Sequence, residues 1–276
     1  MSLTLTVLGT GSPIPSPDRA GSANLVRSNT TTVLIDAGRG VVMRMAAAGV
    51  LPPMLDAVLL THLHSDHISD LNDVVTTHCV MRPESTTLKV FGPVGTAEMV
   101  DGMMAMLAPD VRYRLAHHDD LNAPPSLEVT ELAGGDHVVI GDLDITAEPT
   151  DHRPVEPTLG YRVTDGTGII ALAGDSIPCD GLDRLCASAD IYLQTVVRDD
   201  LIRTIPSARL QDILDYHSST AQAAQTAARN DVRTLVCTHY VPGRFPGDDD
   251  GWLAPMRAHF DGTIVLADDL TEVVAP

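Results

Sequence analysis

Four side chains that can bind metal ions stand close together in residues 61 to 67, Thr-His-Leu-His-Ser-Asp-His. They follow an apolar run, residues 57 to 60, which predicts a buried strand that ends in a loop. Imidazole nitrogen and carboxylate oxygen are ligands that a borderline cation such as Zn²⁺ prefers. The chain must therefore fold so that this loop meets further ligands, because the loop alone supplies about half of a two-metal site.

The spacing inside this loop divides its ligands between two metal ions. If residues 61 to 64 continue the strand, His62 and His64 point to the same side, because side chains alternate along a strand. Asp66 and His67 follow the turn and would face a second ion, at the roughly 3.5–4 Å separation usual in two-metal hydrolases. A histidine-rich surface loop without metal is the alternative, and the buried strand before the cluster disfavours it.

The loop carries an HxHxDH pattern, which resembles the metallo-β-lactamase superfamily of zinc hydrolases. Five further stretches resemble its ribonuclease Z and arylsulfatase-like branch. They are residues 8 to 13 (LGTGSP), 34 to 38 (LIDAG), 174 to 175 (GD), 217 to 220 (HSST) and 238 to 240 (THY). The resemblance covers nearly the whole chain and implies an α/β (α+β) fold, the four-layer αββα metallo-β-lactamase sandwich. We expect residues 1 to 276 to form a single hydrolase domain.

The pattern of apolar residues predicts strands and helices in two similar halves, which indicates two sheets face to face with helices outside. Strands are expected at residues 3–8, 32–36, 57–60, 88–91, 127–132, 137–140, 143–149, 168–172, 191–193 and 235–237, and helices at 38–48, 70–81, 95–107 and 220–230. Glycine turns between the three strands of 127 to 149 predict antiparallel sheet there. Residues 113 to 125 include two adjacent histidines and two aspartates, and we interpret them as a rim of the cleft or a solvated loop rather than a second metal cluster.

The resemblance also implies a complete ligand set for two Zn²⁺ ions per chain, although Mn²⁺ or iron would suit similar donors. Two cations would lower the pKa of bound water and offset charge on the attacked group. The expected ligands are His62, His64 and His152 for the first ion, Asp66, His67 and His239 for the second, and Asp175 between them.

Two residues are expected to act in catalysis. The resemblance gives Asp66 a second role, which is to hold and aim the proton of the nucleophile. It matches His217 to the histidine that ribonuclease Z places beside the scissile group without binding metal. An imidazole that titrates near neutrality can stabilise an oxyanion or protonate a leaving group. The alternative for His217 is a polar residue at the start of a helix.

The charge balance argues against a long polyanionic substrate. The chain has 18 basic and 37 acidic residues, a formal net charge of −19, and a single lysine, Lys89. Proteins that bind nucleic acid gain affinity by neutralising phosphates with Lys and Arg. We therefore expect a small-molecule ester substrate, phosphodiester ahead of sulfate ester or lactone, and no extended contact with nucleic acid. The candidate substrate-binding residues are Ser12, Arg19, Tyr240 and Arg244.

Three departures from ribonuclease Z support the same expectation. Bacterial members carry a tRNA-binding arm between the counterparts of His152 and Asp175, whereas here these two residues are only 175 − 152 = 23 positions apart. The usual Pro-x-Lys-x-Arg-Asn loop has the sequence PSPDRA at residues 15 to 20, so its Lys and Asn are missing. The serine that ribonuclease Z usually has two residues after the last histidine is Val241 here. A tRNA 3′-processing endonuclease is therefore the alternative function. A non-catalytic metal-binding protein with a vestigial site and an iron oxidoreductase are alternatives from other classes.

The cellular location of the protein is predicted from three features that its sequence lacks: a signal sequence, a membrane span and a CxxC pair. No basic region precedes the first apolar stretch, and no apolar run approaches the ~18 residues of a membrane span. Cys79, Cys179, Cys186 and Cys237 form no CxxC pair, which favours reduced thiols. We expect a cytoplasmic protein without membrane contact, and the resemblance implies a homodimer.

Overall fold

The fold is described by a computed structural model over residues 2–82, 86–121 and 123–276. The strands are β1 (Thr4–Gly9), β2 (Ala23–Arg27), β3 (Thr32–Ile35), β4 (Ala57–Leu59), β5 (Thr87–Pro93), β6 (Ser126–Leu132), β7 (His137–Ile140), β8 (Leu143–Pro149), β9 (Leu159–Thr164), β10 (Ile169–Leu172), β11 (Ile191–Val197), β12 (Thr234–Val241), β13 (Thr263–Leu266) and β14 (Thr271–Val274). The helices are α1 (Val41–Ala47), α2 (Ser65–Ile68), α3 (Leu71–Val80), α4 (Thr96–His117), α5 (Asp180–Cys186), α6 (Asp199–Ile202), α7 (Ala208–Gln211), α8 (Thr220–Arg229) and α9 (Asp249–Arg257). Among the described residues, no helix has the length and apolar character needed to cross a membrane.

In the described residues the strands form two seven-stranded sheets, ordered β14-β1-β2-β3-β4-β5-β6 and β13-β12-β11-β10-β9-β8-β7. In the first sheet, β14, β1, β2 and β3 pair antiparallel, and β3 to β6 pair parallel. The second sheet has the same division, with β7 to β10 antiparallel and β10 to β13 parallel. Parallel strands end at one edge, so the loops that follow them gather there.

Three apolar clusters fill the spaces between the layers. The central cluster lies between the sheets and joins Leu5 and Val33 of the first sheet to Ile145 and Ile170 of the second. A second cluster packs the other face of the second sheet against α5, α8 and α9, and a third packs the first sheet against α1, α3 and α4. Both sheets are therefore covered on both faces, which confirms the predicted four-layer αββα sandwich.

The two sheets are joined by hydrogen bonds beside the end of β4. The backbone N–H of Leu159, at the start of β9, donates to the carbonyl oxygen of Thr61 at 2.9 Å. The hydroxyl of Tyr161, which is fully buried, donates to the carbonyl oxygen of Leu60 at 2.6 Å. Since β4 and β9 belong to different sheets, these bonds fix the loop after β4 against the loops of the second sheet.

The helix α4 is longer than the sequence pattern predicts, because it continues through Pro109 to His117. The Nε of Arg114 donates to Asp110 one turn earlier at 2.7 Å, which stabilises the helix beyond the proline. The interpretation of residues 113 to 125 as a loop was therefore wrong for 113 to 117. Residues 118 to 120 are exposed, and residue 122 lies outside the described residues.

The prediction of an antiparallel sheet from residue 127 to 149 was wrong for its first strand. β6 pairs in parallel with β5 in the first sheet, with Leu127 opposite Leu88. The chain then crosses at Gly134 and Gly135 to the second sheet, where β7 and β8 do form the predicted antiparallel pair. Glycines that resemble a hairpin turn therefore lie at a crossover between sheets, because the pairing partner of a strand depends on distant packing.

Candidate metal centre

The histidine loop begins where β4 ends at Leu59, so residues 61 to 64 do not continue the strand as the spacing suggested. His62 and His64 nevertheless meet, with 3.1 Å between Nε2 of His62 and Nδ1 of His64. The short helix α2 starts at Ser65 and carries Asp66 and His67, both buried. The turn of α2 therefore separates the second pair of side chains from the first, as the strand-and-turn hypothesis required.

One group of donor atoms comprises His62 and His64, His152 after β8, and Asp175 after β10, and these atoms all lie within 4.8 Å of one another. Nδ1 of His64 is 3.3 Å from Nε2 of His152, and Oδ2 of Asp175 is 3.9 Å from Nε2 of His62 and of His152. Ligands of a tetrahedral Zn²⁺ stand about 3.3 Å apart when bonds are 2.0–2.1 Å. The Nδ1 of His152 lies 2.8 Å from the carbonyl oxygen of Tyr216, which fixes the ring. We name His62, His64 and His152 the first donor group.

A second donor group comprises Asp66, His67 and His239, the last of which lies in β12. Nε2 of His239 is 3.0 Å from Oδ2 of Asp66, and Oδ2 of Asp175 is 3.4 Å from Nε2 of His67 and 3.5 Å from Nε2 of His239. Nε2 of His67 and Oδ1 of Asp175 are buried and have no hydrogen-bond partner among the described residues. Buried polar atoms are normally paired, so these atoms fit ligands of a cation. The structure thus brings all seven predicted ligands together.

Asp36 supports both donor groups, and the sequence reasoning did not assign it a role. Its Oδ2 lies 2.8 Å from Nδ1 of His67, and its Oδ1 accepts the backbone N–H of Thr61 at 2.8 Å. The hydroxyl of Thr61 in turn lies 3.0 Å from Nδ1 of His62. A carboxylate that accepts the outer N–H of a ligand histidine fixes its tautomer and its orientation. Asp36 belongs to the LIDAG stretch of residues 34 to 38, so this motif was the sequence signal that could have identified it.

The two donor groups differ in their affinity for protons. Burial lowers the pKa of His62 well below its usual value and lowers the pKa of His152 to about 4. Burial also acts to lower the pKa of His67 and His239, but nearby carboxylates together outweigh it and raise both: Asp175 and Asp36 for His67, and Asp175 and Asp66 for His239. Burial would raise the pKa of Asp175 itself, yet the surrounding histidines keep it well below its usual range. Negative charge therefore sits between the two groups, where cations would bind.

His217 lies against the shared carboxylate, with its Nε2 3.2 Å from Oδ2 of Asp175. Its Nδ1 is 3.1 Å from the carbonyl oxygen of Ile213, and its ring stacks on that of His239 with 5.8 Å between centroids. It follows that Nδ1 carries a proton and Nε2 faces the donor atoms. His217 also forms a possible donor group with Asp175 and His239, so its role apart from the metal stays a prediction.

Three of the four predicted substrate-binding residues, Tyr240 and the two arginines that contact its ring, lie next to His239 in the chain or around Tyr240 and bond to other residues of the protein. Tyr240 is buried, and its hydroxyl donates to the carbonyl oxygens of residues 237 and 267. The Cζ atoms of Arg19 and Arg244 each lie 5.3 Å from the centroid of its ring, and both arginines form ion pairs with Asp268. Ser12 is buried. These contacts favour supporting roles, and direct binding of substrate by these residues stays a prediction.

Comparison with known sequences places this centre in a family context. A protein-family model described as a β-lactamase superfamily domain matches residues 31–240. Ribonuclease Z of Mycolicibacterium gilvum strain PYR-GCK is 50% identical over 275 residues, which are 98% of this chain and 96% of that protein. Ribonuclease Z of Mycobacterium avium strain 104 is 50% identical over 273 residues, 98% of each chain. These relatives therefore have nearly the same length as this chain.

Comparison with solved structures agrees on the fold. YhfI of Bacillus subtilis, a metallo-β-lactamase fold protein, matches with a TM-score of 0.78 and 21% identity, over 99% of both chains. The short form of human tRNase Z matches with a TM-score of 0.72 and 21% identity, also over 99% of both chains. At this level of identity the two likenesses support the four-layer sandwich alone.

Proposed function

The chain belongs to the β-lactamase superfamily and to its ribonuclease Z branch, and from this we propose that it is a ribonuclease that cleaves precursor tRNA at its 3′ side. Family membership makes it a metal-dependent hydrolase of phosphodiester bonds. The observation that carries the proposal is the convergence of seven donor side chains on one centre, with His217 beside the shared Asp175.

The expectation of a small-molecule ester substrate without extended nucleic-acid contact was wrong. Relatives that are 50% identical over nearly the whole chain are named Ribonuclease Z. The missing arm does not separate this chain from them, because matches over 98% of both chains leave no room for a long insertion. Net charge misled the prediction because it is a sum over the whole surface, whereas phosphate contacts depend on the charges beside the site.

The donor groups would hold two divalent cations, and zinc fits their imidazole and carboxylate atoms best. When bound, these cations supply a nucleophile at neutral pH and offset the negative charge that develops on the attacked phosphate. Two zinc ions per chain, the homodimer, the cytoplasmic location and the single domain all stay predictions.

The chain's own residues supply orientation and proton transfer. Asp66 is a buried carboxylate among the donor atoms, and it would also hold and aim the proton of the nucleophile. The Nδ1–H of His217 donates to the carbonyl oxygen of Ile213, which leaves Nε2 to deliver a proton to the leaving ribose oxygen. Asp36 keeps Nε2 of His67 free for the centre by accepting at Nδ1.

Cleavage of a precursor tRNA with a labelled 3′ trailer tests this function. The zinc-loaded protein should release the trailer at a single junction, and mature tRNA of the same sequence should remain intact. Removal of metal with a chelator should abolish the reaction, and added zinc should restore it. A zinc-loaded protein that hydrolyses bis(p-nitrophenyl) phosphate but leaves the precursor intact would contradict the proposal.

A further inference from the structure

An open cleft lies between the loop of residues 15 to 20 and the start of α1, and we name it the Arg39 cleft. Its volume is about 490 Å³, and it is lined by residues 15–17, 19–20, 39–40 and 43–44. Ligand pockets typically measure about 300–1,000 Å³, so the cleft has room for part of a substrate. Three of its lining residues are arginines, Arg19, Arg39 and Arg44, which is unusual in a chain with a net charge of −19.

The cleft adjoins the metal centre through tight backbone contacts. Gly38, the residue before Arg39, packs so closely that an added Cβ would lie 2.3 Å from the carbonyl oxygen of Asp66. The backbone N–H of Ala37 donates to the carbonyl oxygen of His67 at 2.6 Å. Arg39 therefore lies next to the loop that supplies four of the donor residues. A polymer whose scissile bond occupies the centre would extend past this wall.

The three arginines differ in whether their charge is already balanced. Arg19 pairs with Asp268 at 2.7 Å, and Nε of Arg44 pairs with Oδ2 of Asp269 at 2.9 Å. Arg39 instead donates to the backbone carbonyl oxygens of Ser12 and Pro13, at 3.3 and 3.1 Å. Carbonyl oxygens accept hydrogen bonds without cancelling the charge, and Arg39 has no ion pair within the described part of the chain. Arg39 is also exposed, so one positive charge remains available.

The loop that forms the other wall of the cleft is closed on a single carboxylate. Asp269 accepts the backbone N–H and the hydroxyl of Thr10 at 2.9 and 2.7 Å, and the backbone N–H of Ala20 at 2.7 Å. The backbone N–H of Gly11 also donates to the carbonyl oxygen of Ala20 at 2.7 Å. A wall that is ordered before binding loses less entropy when a ligand arrives.

We propose that the Arg39 cleft binds one backbone phosphate of the RNA substrate, with the guanidinium of Arg39 as its cation. The proposal rests on the proposed function, since it names a contact made by that same substrate outside the cleaved bond. A guanidinium matches a phosphate with two parallel hydrogen bonds, and one unpaired charge suits one phosphate.

The test compares Arg39→Gln with Arg257→Gln on precursor tRNA. Arg257 is the matched control, because it is exposed and lines another open cleft, of about 400 Å³, formed by residues outside the donor groups. Arg39→Gln should raise KM for precursor tRNA by about tenfold, and should reduce the slope of log affinity against log salt by about 1. Arg257→Gln should match the wild-type protein in both measurements. Arg39→Lys keeps the charge and should therefore keep the salt slope, with a smaller rise in KM.

The outcomes separate this proposal from the function on which it rests. Equal KM and equal salt slope in Arg39→Gln and Arg257→Gln would overturn the phosphate site while tRNA cleavage stands. An equal rise of KM for bis(p-nitrophenyl) phosphate in Arg39→Gln would also overturn it, because that substrate has no backbone beyond the cleaved diester. If the wild-type protein hydrolyses this small diester but not precursor tRNA, the proposed function itself fails. Metal content and thermal unfolding of each variant verify that the fold is retained.

Discussion

The two donor groups share Asp175 but are built on different supports. The first donor group includes the half-buried His64. Its other two histidines are within hydrogen-bond distance of neutral oxygens, His62 of the Thr61 hydroxyl and His152 of a backbone carbonyl oxygen. In the second donor group every side chain is buried, and His67 is bonded to the carboxylate of Asp36. A carboxylate raises the basicity of a ligand histidine more than a neutral oxygen does. We therefore expect the second donor group to hold its metal ion more firmly, and the first donor group to be more open to substrate.

Replacing Asp175 should have the largest effect, because it removes what the two groups have in common. Asp175→Ala leaves His67 and His239 without the carboxylate that balances them, and leaves both groups one ligand short. We expect loss of both metal equivalents and a fall in RNA cleavage of roughly 10⁴–10⁶-fold, the scale for residues that act as one unit. Metal analysis and single-turnover cleavage measure this.

Asp144→Ala is the matched control, because Asp144 lies on β8 and pairs with the exposed His137. It should keep both metal equivalents and wild-type cleavage. If Asp175→Ala retains two metal equivalents, the donor groups bind metal independently of Asp175, which would contradict the claim that they share it as a ligand.

His217 contacts the shared carboxylate from outside both groups, so its replacement tests chemistry without removing a predicted ligand. His217→Ala should lower kcat by about 10²–10⁴-fold, the usual contribution of a general acid, with both metal equivalents retained. His259→Ala, which replaces an exposed histidine in the turn after α9, is the control. Loss of one metal equivalent would instead assign His217 to the possible donor group that it forms with Asp175 and His239.

The sequence predicted the centre better than it predicted the chain around it. Local pattern was sufficient for the histidine loop at residues 62 to 67, whereas His152, Asp175 and His239 were expected as ligands because the resemblance implies them. The partner of β6 could not be predicted, since Leu127 opposes Leu88 through packing between distant segments. Periodicity also missed the short strand β2, because a strand buried on both faces does not alternate.

The substrate was mispredicted for a related physical reason. Charge counted over the chain ignores which arginines are paired, and only the fold shows that Arg19 and Arg44 are balanced while Arg39 is not. The contribution of Asp36 was hidden in the same way, because its bond to His67 joins residues 31 positions apart. Local patterns thus identify metal ligands, whereas the residues that support them depend on tertiary contacts.

Asp36→Asn should weaken the second donor group selectively. Its Oδ1 can still accept the backbone N–H of Thr61, but an amide NH₂ would then face Nδ1 of His67. That contact favours the tautomer with the proton on Nε2, where the metal must bind. We expect metal affinity of the second group to fall about 10–100-fold while one equivalent stays tightly bound. Competition with a zinc chelator measures the affinity of each of the two metal equivalents.

Asp56→Asn is the control, because it alters a carboxylate outside the donor groups that accepts the backbone N–H of Thr32. Equal weakening of both equivalents would contradict selective support.

Thr61→Val should have the smallest effect and should act on the other group. The Thr61 hydroxyl lies between Asp36 and His62, so valine keeps the shape but removes the partner of Nδ1 of His62. A single hydrogen bond contributes about 0.5–1.5 kcal/mol, which corresponds to roughly a 2–10-fold loss of metal affinity at the first group. The second equivalent should change less than twofold, because the Asp36–His67 bond remains. If chelator competition shows instead that Thr61→Val weakens both equivalents alike, the two groups rest on one continuous network, and their difference in burial does not divide their metal binding.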